Sequence, residues 1–293
     1  MTNEHSNHPI SGNTDYASVV AELDAAATRL TTPCGDGEMV WRRWGDGPAL
    51  VCLHGSFGSW THWIRNIPVF AERFSVYVPD LPGLGDSAMP PEPYSFQGLG
   101  RIVADGIDRL LPSAQHYDIT GFSFGASLAG HAAHFHGDRV RTCILVSSGG
   151  MGLTRNEPQG LKNWRRAETD EERAAANRHN LSVMMFGDAG KIDDFAVYLQ
   201  SENTSRARFR NRILSHRFDN LVTALPHVQA ALKGLWGEYD VYAKNRLDER
   251  RDYLRSIQPD ADVRVIPEAG HWLMYEAPDI SNDAFLDMLG HGA

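Results

Sequence analysis

GFSFGAS, residues 121 to 127, sets a serine between glycines where the texture of the chain changes. The residues before it, His116-Tyr117-Asp118-Ile119-Thr120, read as a strand, and the small-residue run after it reads as a helix. A serine on so sharp a strand-to-helix turn carries a strained backbone, and glycines two residues away on either side let the two elements pack without side-chain collision. The turn lifts Oγ of Ser123 above the end of the sheet. A serine hydroxyl is a weak nucleophile by itself, so this reading demands a histidine and an orienting acid later in the chain.

Outward from this turn, strand and helix alternate. EMVWRRW and PALVCLHG, on either side of Gly45-Asp46-Gly47, read as two strands of a hairpin. A helix over WIRNIPVFAERF, the strand SVYVPD, a helix over LGRIVADGIDRLL and the strand RTCILVSS complete the first half. Such alternation predicts an α/β fold, a mostly parallel central sheet flanked by helices. Between 150 and 225 the chain turns to charged helical stretches such as NWRRAETDEERAAANRH, with no buried strand. Alternation then resumes with LKGLWGEYD, RLDERRDYLRSI, ADVRVIPEAGH and ISNDAFLDMLG. The expected organisation is a disordered tail over 1–14, an accessory N-terminal helix over 15–36, a core from 37–149 and 226–293, and a helical insertion over 150–225.

The bulk properties narrow the function. Of 293 residues, 42% are hydrophobic, enough for one large core, and the net charge of −9 speaks against nucleic acid, whose phosphates need concentrated Lys and Arg. Cys34, Cys52 and Cys143 are too few and scattered for a disulfide framework. No run approaches the ~18 apolar residues of a membrane span, and MTNEHSNHPISGN lacks an apolar export segment, so a cytoplasmic protein without a membrane partner is expected. His131, His134 and His136 have no carboxylate or thiolate at ligand spacing, so no metal is expected. GSFGS lacks the Gly-Lys-Ser/Thr of a phosphate loop, and no cofactor is expected.

The acid and the base stand at the ends of two later strands. Asp240 follows the apolar run ending LWG, and His271 follows VRVIPEAG, each on the rim where α/β sheets bind ligands. Glu238, two residues before Asp240, is the rival acid. The end of the sixth strand, Ser147-Ser148-Gly149, offers no carboxylate.

Five stretches in fixed order, LHGSFGSW at 53–60, PDLPGLGDS at 79–87, GFSFGA at 121–126, WGEYD at 236–240 and AGHW at 269–272, carry a resemblance to the α/β-hydrolase fold family from about residue 38 to 290. The resemblance implies that Ser123 is the nucleophile, His271 the base and then the acid, and Asp240 the residue that fixes the imidazole. It implies an oxyanion hole from the backbone N–H groups of Phe124 and Ser56, with Phe57 as the alternative to Ser56. It also implies that 150–225 folds as a lid. Phe57, Phe122, Met151, Met184, Met185 and Trp272 are then candidate pocket residues.

The expected activity is a serine carboxylesterase acting on a small or medium apolar ester through an acyl-enzyme. Hydrolases that cleave carbon–carbon bonds of ring-fission products resemble the chain too, through His271-Trp272 and SSGGMGL at 147–153. Those enzymes use a lid arginine, and its place here is held by Gln200, with Arg206 and Arg208 displaced. A third reading is a slow-turnover ligand receptor on the same fold. The expected partner is a small-molecule substrate, and the expected state a monomer or homodimer.

Overall fold

The computed structural model of the protein describes residues 15–209, 214 and 219–290; the tail expected over 1–14 lies outside the described residues. The strands are β1 (Thr28–Cys34), β2 (Gly37–Trp44), β3 (Ala49–Leu53), β4 (Ser75–Pro79), β5 (Tyr117–Phe122), β6 (Val140–Val146), β7 (Ala231–Gly237) and β8 (Asp262–Ile266). The α-helices are α1 (Tyr16–Ala25), α2 (Ile67–Ala71), α3 (Phe96–Leu110), α4 (Phe124–His136), α5 (Asp170–Met184), α6 (Asp194–Ser205), α7 (Leu247–Ile257), α8 (Leu273–Glu276) and α9 (Pro278–Met288). The strands form one sheet in the order β1-β2-β4-β3-β5-β6-β7-β8, antiparallel at its first two pairings and parallel from β4 to β8.

Two expectations are corrected at the start of the chain. The helix expected over 15–36 stops at Ala25, and Thr28–Cys34 is a strand paired with β2 from Thr28↔Arg43 to Cys34↔Gly37. The stretch TRLTTPC is rich in β-branched threonine and holds Pro33, which a helix interior excludes. Nor do β2 and β3 form a hairpin. β4 lies between them, antiparallel to β2 (Trp41↔Pro79) and parallel to β3 (Leu50↔Val76). Every residue of β3 is buried, which suits a strand with a partner on each edge and helices on both faces.

The two-residue period of the strands divides the core in two. Ala49, Val51 and Leu53 face Leu99, Val103 and Ile107 of α3 and Leu128 and Ala132 of α4. Leu50 and Cys52 join Trp63, Phe70 of α2 and Phe285 of α9 on the other side. Helix α3 presents its apolar positions at three- and four-residue spacing, and Ser95 caps its first turn by accepting the Gly98 N–H at 2.9 Å.

Between β6 and β7 lie α5 and α6 and short 3-10 turns, with no strand among the described residues. Thr169 and Glu172 form a capping box at the start of α5. Helix α6 buries Phe195, Ala196 and Leu199, and Tyr16 of α1 stacks on Phe195 with ring centroids 5.3 Å apart. The Trp44 Nε1–H donates to the Leu23 carbonyl at 2.8 Å, so α1 also grips β2. No helix among the described residues is long and apolar enough to cross a membrane.

Candidate active site

Ser123 stands at the junction of β5 and α4 with φ +51°, a conformation that costs a side-chain-bearing residue energy and persists only when its surroundings hold it. Its N–H donates to the Val146 carbonyl at 2.8 Å, and its carbonyl accepts the Ala126 N–H at 3.1 Å. The flanking glycines are required by contact. A Cβ on Gly121 would lie 2.3 Å from the Gly125 carbonyl oxygen, and one on Gly125 would lie 2.5 Å from that of His54. Strand β5, the first turn of α4 and the loop after β3 therefore meet backbone to backbone, with the serine at the top.

The loops after β7 and β8 carry Asp240 and His271, both buried. The His271 Nδ1 lies 3.0 Å from Oδ1 and 2.9 Å from Oδ2 of Asp240. An ionised carboxylate is acceptor-only, so Nδ1 carries the proton and Nε2 is left as the basic nitrogen. Asp240 is itself oriented by the Tyr242 N–H, 3.0 Å from Oδ1. The histidine backbone is held as well, because the Ser147 hydroxyl donates to the His271 carbonyl at 2.9 Å. Glu238, the rival acid, turns elsewhere and accepts the Glu268 N–H at 2.9 Å.

The loop after β3, with Ser56 and Phe57, is fixed by buried polar side chains. His54 donates from Nδ1 to the Gly55 carbonyl and accepts the Leu81 N–H at Nε2, both at 2.8 Å. Burial pushes its imidazole down to about 4, so it is neutral near pH 7. Asp80 accepts the Trp60 N–H at 2.9 Å and Nη1 of the buried Arg42 at 3.1 Å. Asp80 thus ties the loop after β3 to β2 and, by accepting the Asp86 N–H at 3.0 Å, to the turn of PDLPGLGDS.

Ser123, Asp240 and His271 share one cavity of about 280 Å³. Ser56, Phe57, Phe122, Met184 and Met185 line it, together with Leu161, Ser147, Arg155, Tyr242 and Arg250. Two expectations fail here. Trp272 is fully buried beneath the site, its Nε1–H bonded to the His62 carbonyl at 3.0 Å and its ring stacked on Tyr275. Met151 is buried in the core and borders only a small neighbouring void with Arg155 and Arg250. Phe124 is also absent from the wall; the proposed use of its backbone N–H does not need its side chain there. A larger cavity of about 570 Å³, beside His131 and His134, holds none of Ser123, Asp240 and His271.

The further residues of the wall come from places with weak patterns. Arg250 lies on α7, buried, donating to the carbonyls of Thr154 at 2.6 Å and Arg246 at 3.0 Å. Arg155 pairs with Glu157 at 2.9 Å and stands 4.9 Å from the Tyr242 ring centroid. Burial pushes the Tyr242 phenol up to about 12, so it is protonated and a donor. Ser147 alone had a readable sign, its place at the carboxyl end of a strand. Gln200 lies buried on α6 away from the cavity wall, while Arg206 pairs with Asp86 and Arg208 binds the Ser87 carbonyl.

Comparison with known proteins agrees with this architecture. The family model described as the Alpha/beta hydrolase family matches residues 50–284. The chain is 29% identical over 264 residues to 2-hydroxy-6-oxo-6-phenylhexa-2,4-dienoate hydrolase of Burkholderia cepacia, covering 85% of this chain and 90% of the relative. It is 35% identical over 233 residues to pimeloyl-[acyl-carrier protein] methyl ester esterase of Aeromonas hydrophila subsp. hydrophila, covering 77% and 84%. Among solved structures, carboxylesterase CesB of Bacillus subtilis superposes with a TM-score of 0.70 at 16% identity, over 95% of this chain and 96% of that one, which is a likeness of fold.

Proposed function

The chain belongs to the alpha/beta hydrolase family, and from that premise we propose that it is a serine hydrolase cleaving carboxylic esters of small or medium apolar groups. The observation that carries this reading is the bond from His271 Nδ1 to Asp240, 2.9 Å long, on the cavity that also exposes Ser123. Phe57, Leu161, Met184 and Met185 supply an apolar wall suited to an acyl or alcohol chain. The helical segment between β6 and β7, which brings Leu161 and the two methionines, serves as the lid.

In this mechanism Ser123 Oγ attacks the ester carbonyl while His271 Nε2 takes its proton. The negative charge on the tetrahedral oxygen falls to the backbone N–H groups of Phe124 and Ser56. Collapse breaks the ester C–O bond, and His271 returns the proton to the departing alcohol. Water then repeats the sequence on the acyl-enzyme: His271 takes its proton, the acid leaves, and the proton goes back to Ser123. Asp240 keeps Nδ1 protonated and stabilises the imidazolium at each transfer.

A second reading, carbon–carbon hydrolysis of a ring-fission diketone acid, draws on Arg155 and Arg250 at the same cavity, since two guanidiniums suit a substrate carboxylate. The relative from Burkholderia cepacia carries the name of such a hydrolase. The deciding experiment offers purified protein p-nitrophenyl butyrate and a ring-fission dienoate side by side. Ester turnover that vanishes in Ser123→Ala supports the esterase; dienoate decay without ester turnover replaces it with the second reading.

A further inference from the structure

Glu276, the last residue of α8, is a buried carboxylate that the proposed mechanism does not use. Its Oε2 accepts the Gly270 N–H at 2.7 Å and the Gly187 N–H at 2.9 Å, and its Oε1 accepts from Gly187 at 3.1 Å and Asp188 at 2.9 Å. Among the described residues it has these three backbone donors and no ion-pair partner.

The donors come from two stretches distant in sequence. Gly270 immediately precedes His271, while Gly187 and Asp188 follow Met184 and Met185 of the cavity wall. The backbones are pressed together: a Cβ on Gly270 would lie 2.3 Å from the Gly187 nitrogen and 2.5 Å from the Phe186 carbonyl carbon. The Trp272 N–H donates across the same seam to the Met185 carbonyl at 2.8 Å. His271 is thus held by its ring through Asp240, by its carbonyl through Ser147, and on either side through Gly270 and Trp272.

We infer that Glu276 is the positioning residue that sets the loop of His271 against the segment of Met184 and Met185, so that the imidazole and the cavity wall keep one relative placement. The inference rests on the proposed role of His271 as base. All three donors are N–H groups, so an acceptor-only side chain is required. Glutamine keeps the shape but turns an NH₂ toward at least one of them, and alanine abandons all three.

The test is the rate at which a p-nitrophenyl phosphonate labels Ser123, read as a maximal rate and a half-saturating concentration. Glu276→Gln is expected to lower the maximal rate about tenfold and Glu276→Ala about a hundredfold, with half-saturation within about twofold, since misplacement of a reacting group by an ångström costs that much. In a His271→Ala background neither change is expected to slow labelling further, because the residue acts through the imidazole. Equal losses in both backgrounds, a change in half-saturation alone, or an unchanged rate in Glu276→Gln would overturn the inference. Should the alanine variant fail to fold by circular dichroism, the glutamine variant carries the test. Undiminished labelling in His271→Ala itself would instead refute the role of His271, a result that no Glu276 variant can produce.

Discussion

The His271 imidazole meets both carboxylate oxygens of Asp240, at 3.0 and 2.9 Å from one nitrogen, in surroundings where both side chains are buried. Asparagine in place of Asp240 would turn either an amide oxygen or an NH₂ toward Nδ1, and the imidazolium of the proposed mechanism would lose its counter-charge. Asp240→Asn is therefore expected to lower kcat for p-nitrophenyl butyrate by about 10³–10⁴-fold, the order found for the equivalent change in a serine protease. Ser123→Ala should leave no measurable burst of nitrophenolate. A loss under tenfold in Asp240→Asn would show that the imidazole does not depend on this carboxylate.

The elbow predicts a cost in stability separate from chemistry. A Cβ at Gly125 would sit 2.5 Å from the His54 carbonyl oxygen and 2.6 Å from that of Leu53, and neither is a flexible side-chain end that can swing away. Gly125→Ala must shift α4 or the loop after β3, with an expected loss of about 1–3 kcal/mol in urea unfolding. Because that loop carries Ser56, kcat should fall as well. Wild-type stability in this variant would mean that the two backbones are not pressed together.

These features differ in how plainly the sequence announced them. The alternation from SVYVPD to RTCILVSS was legible because buried parallel strands are short apolar runs between amphipathic helices, and the observed elements fall where the pattern put them. The strand Thr28–Cys34 was not, because half of it is exposed and its helical neighbour α1 invited continuation. The false hairpin of β2 and β3 shows a further limit: a Gly-Asp-Gly turn reports a change of direction, and which strand fills the adjacent slot depends on the whole sheet. Asp240 and His271 were readable from their places after strands, whereas Trp272 was misplaced, since one residue of sequence separates cavity from core there. Arg250 lies in an ordinary charged helix, and only packing turns it inward.

Buried neutral histidines make stability depend on pH in a direction that can be worked out. Burial lowers His54 and His131 to about 4 and lowers His62 well below its ordinary value. In the unfolded chain they titrate near 6.5, so below that pH the unfolded state binds protons that the folded state refuses. The stabilisation is complete above about pH 6.5 and is lost as pH falls toward 4. His54 alone implies a loss of about 2 kcal/mol between pH 6.5 and 5. Urea unfolding at pH 7 and pH 5 checks this, and equal stability at the two values would mean that these rings admit a proton in the fold.

Arg155 separates the two proposed substrates. It lines the cavity, pairs with Glu157 at 2.9 Å and flanks the Tyr242 ring. A neutral ester has nothing for a guanidinium to pair with, so Arg155→Gln should leave kcat/KM for p-nitrophenyl butyrate within about twofold, the range of a lost packing contact at a partly exposed site. An acid bearing a free carboxylate would lose a charge-assisted hydrogen bond of about 1.5–3 kcal/mol, or roughly ten- to a hundredfold in KM. Arg250 is the poorer probe, because it also holds the Thr154 and Arg246 carbonyls and its removal would disturb the fold. Assaying Arg155→Gln on p-nitrophenyl butyrate and on the half-ester p-nitrophenyl succinate gives the answer: a selective rise in KM for the succinate identifies a carboxylate subsite, and parallel behaviour of the two substrates means that Arg155 binds no substrate carboxylate.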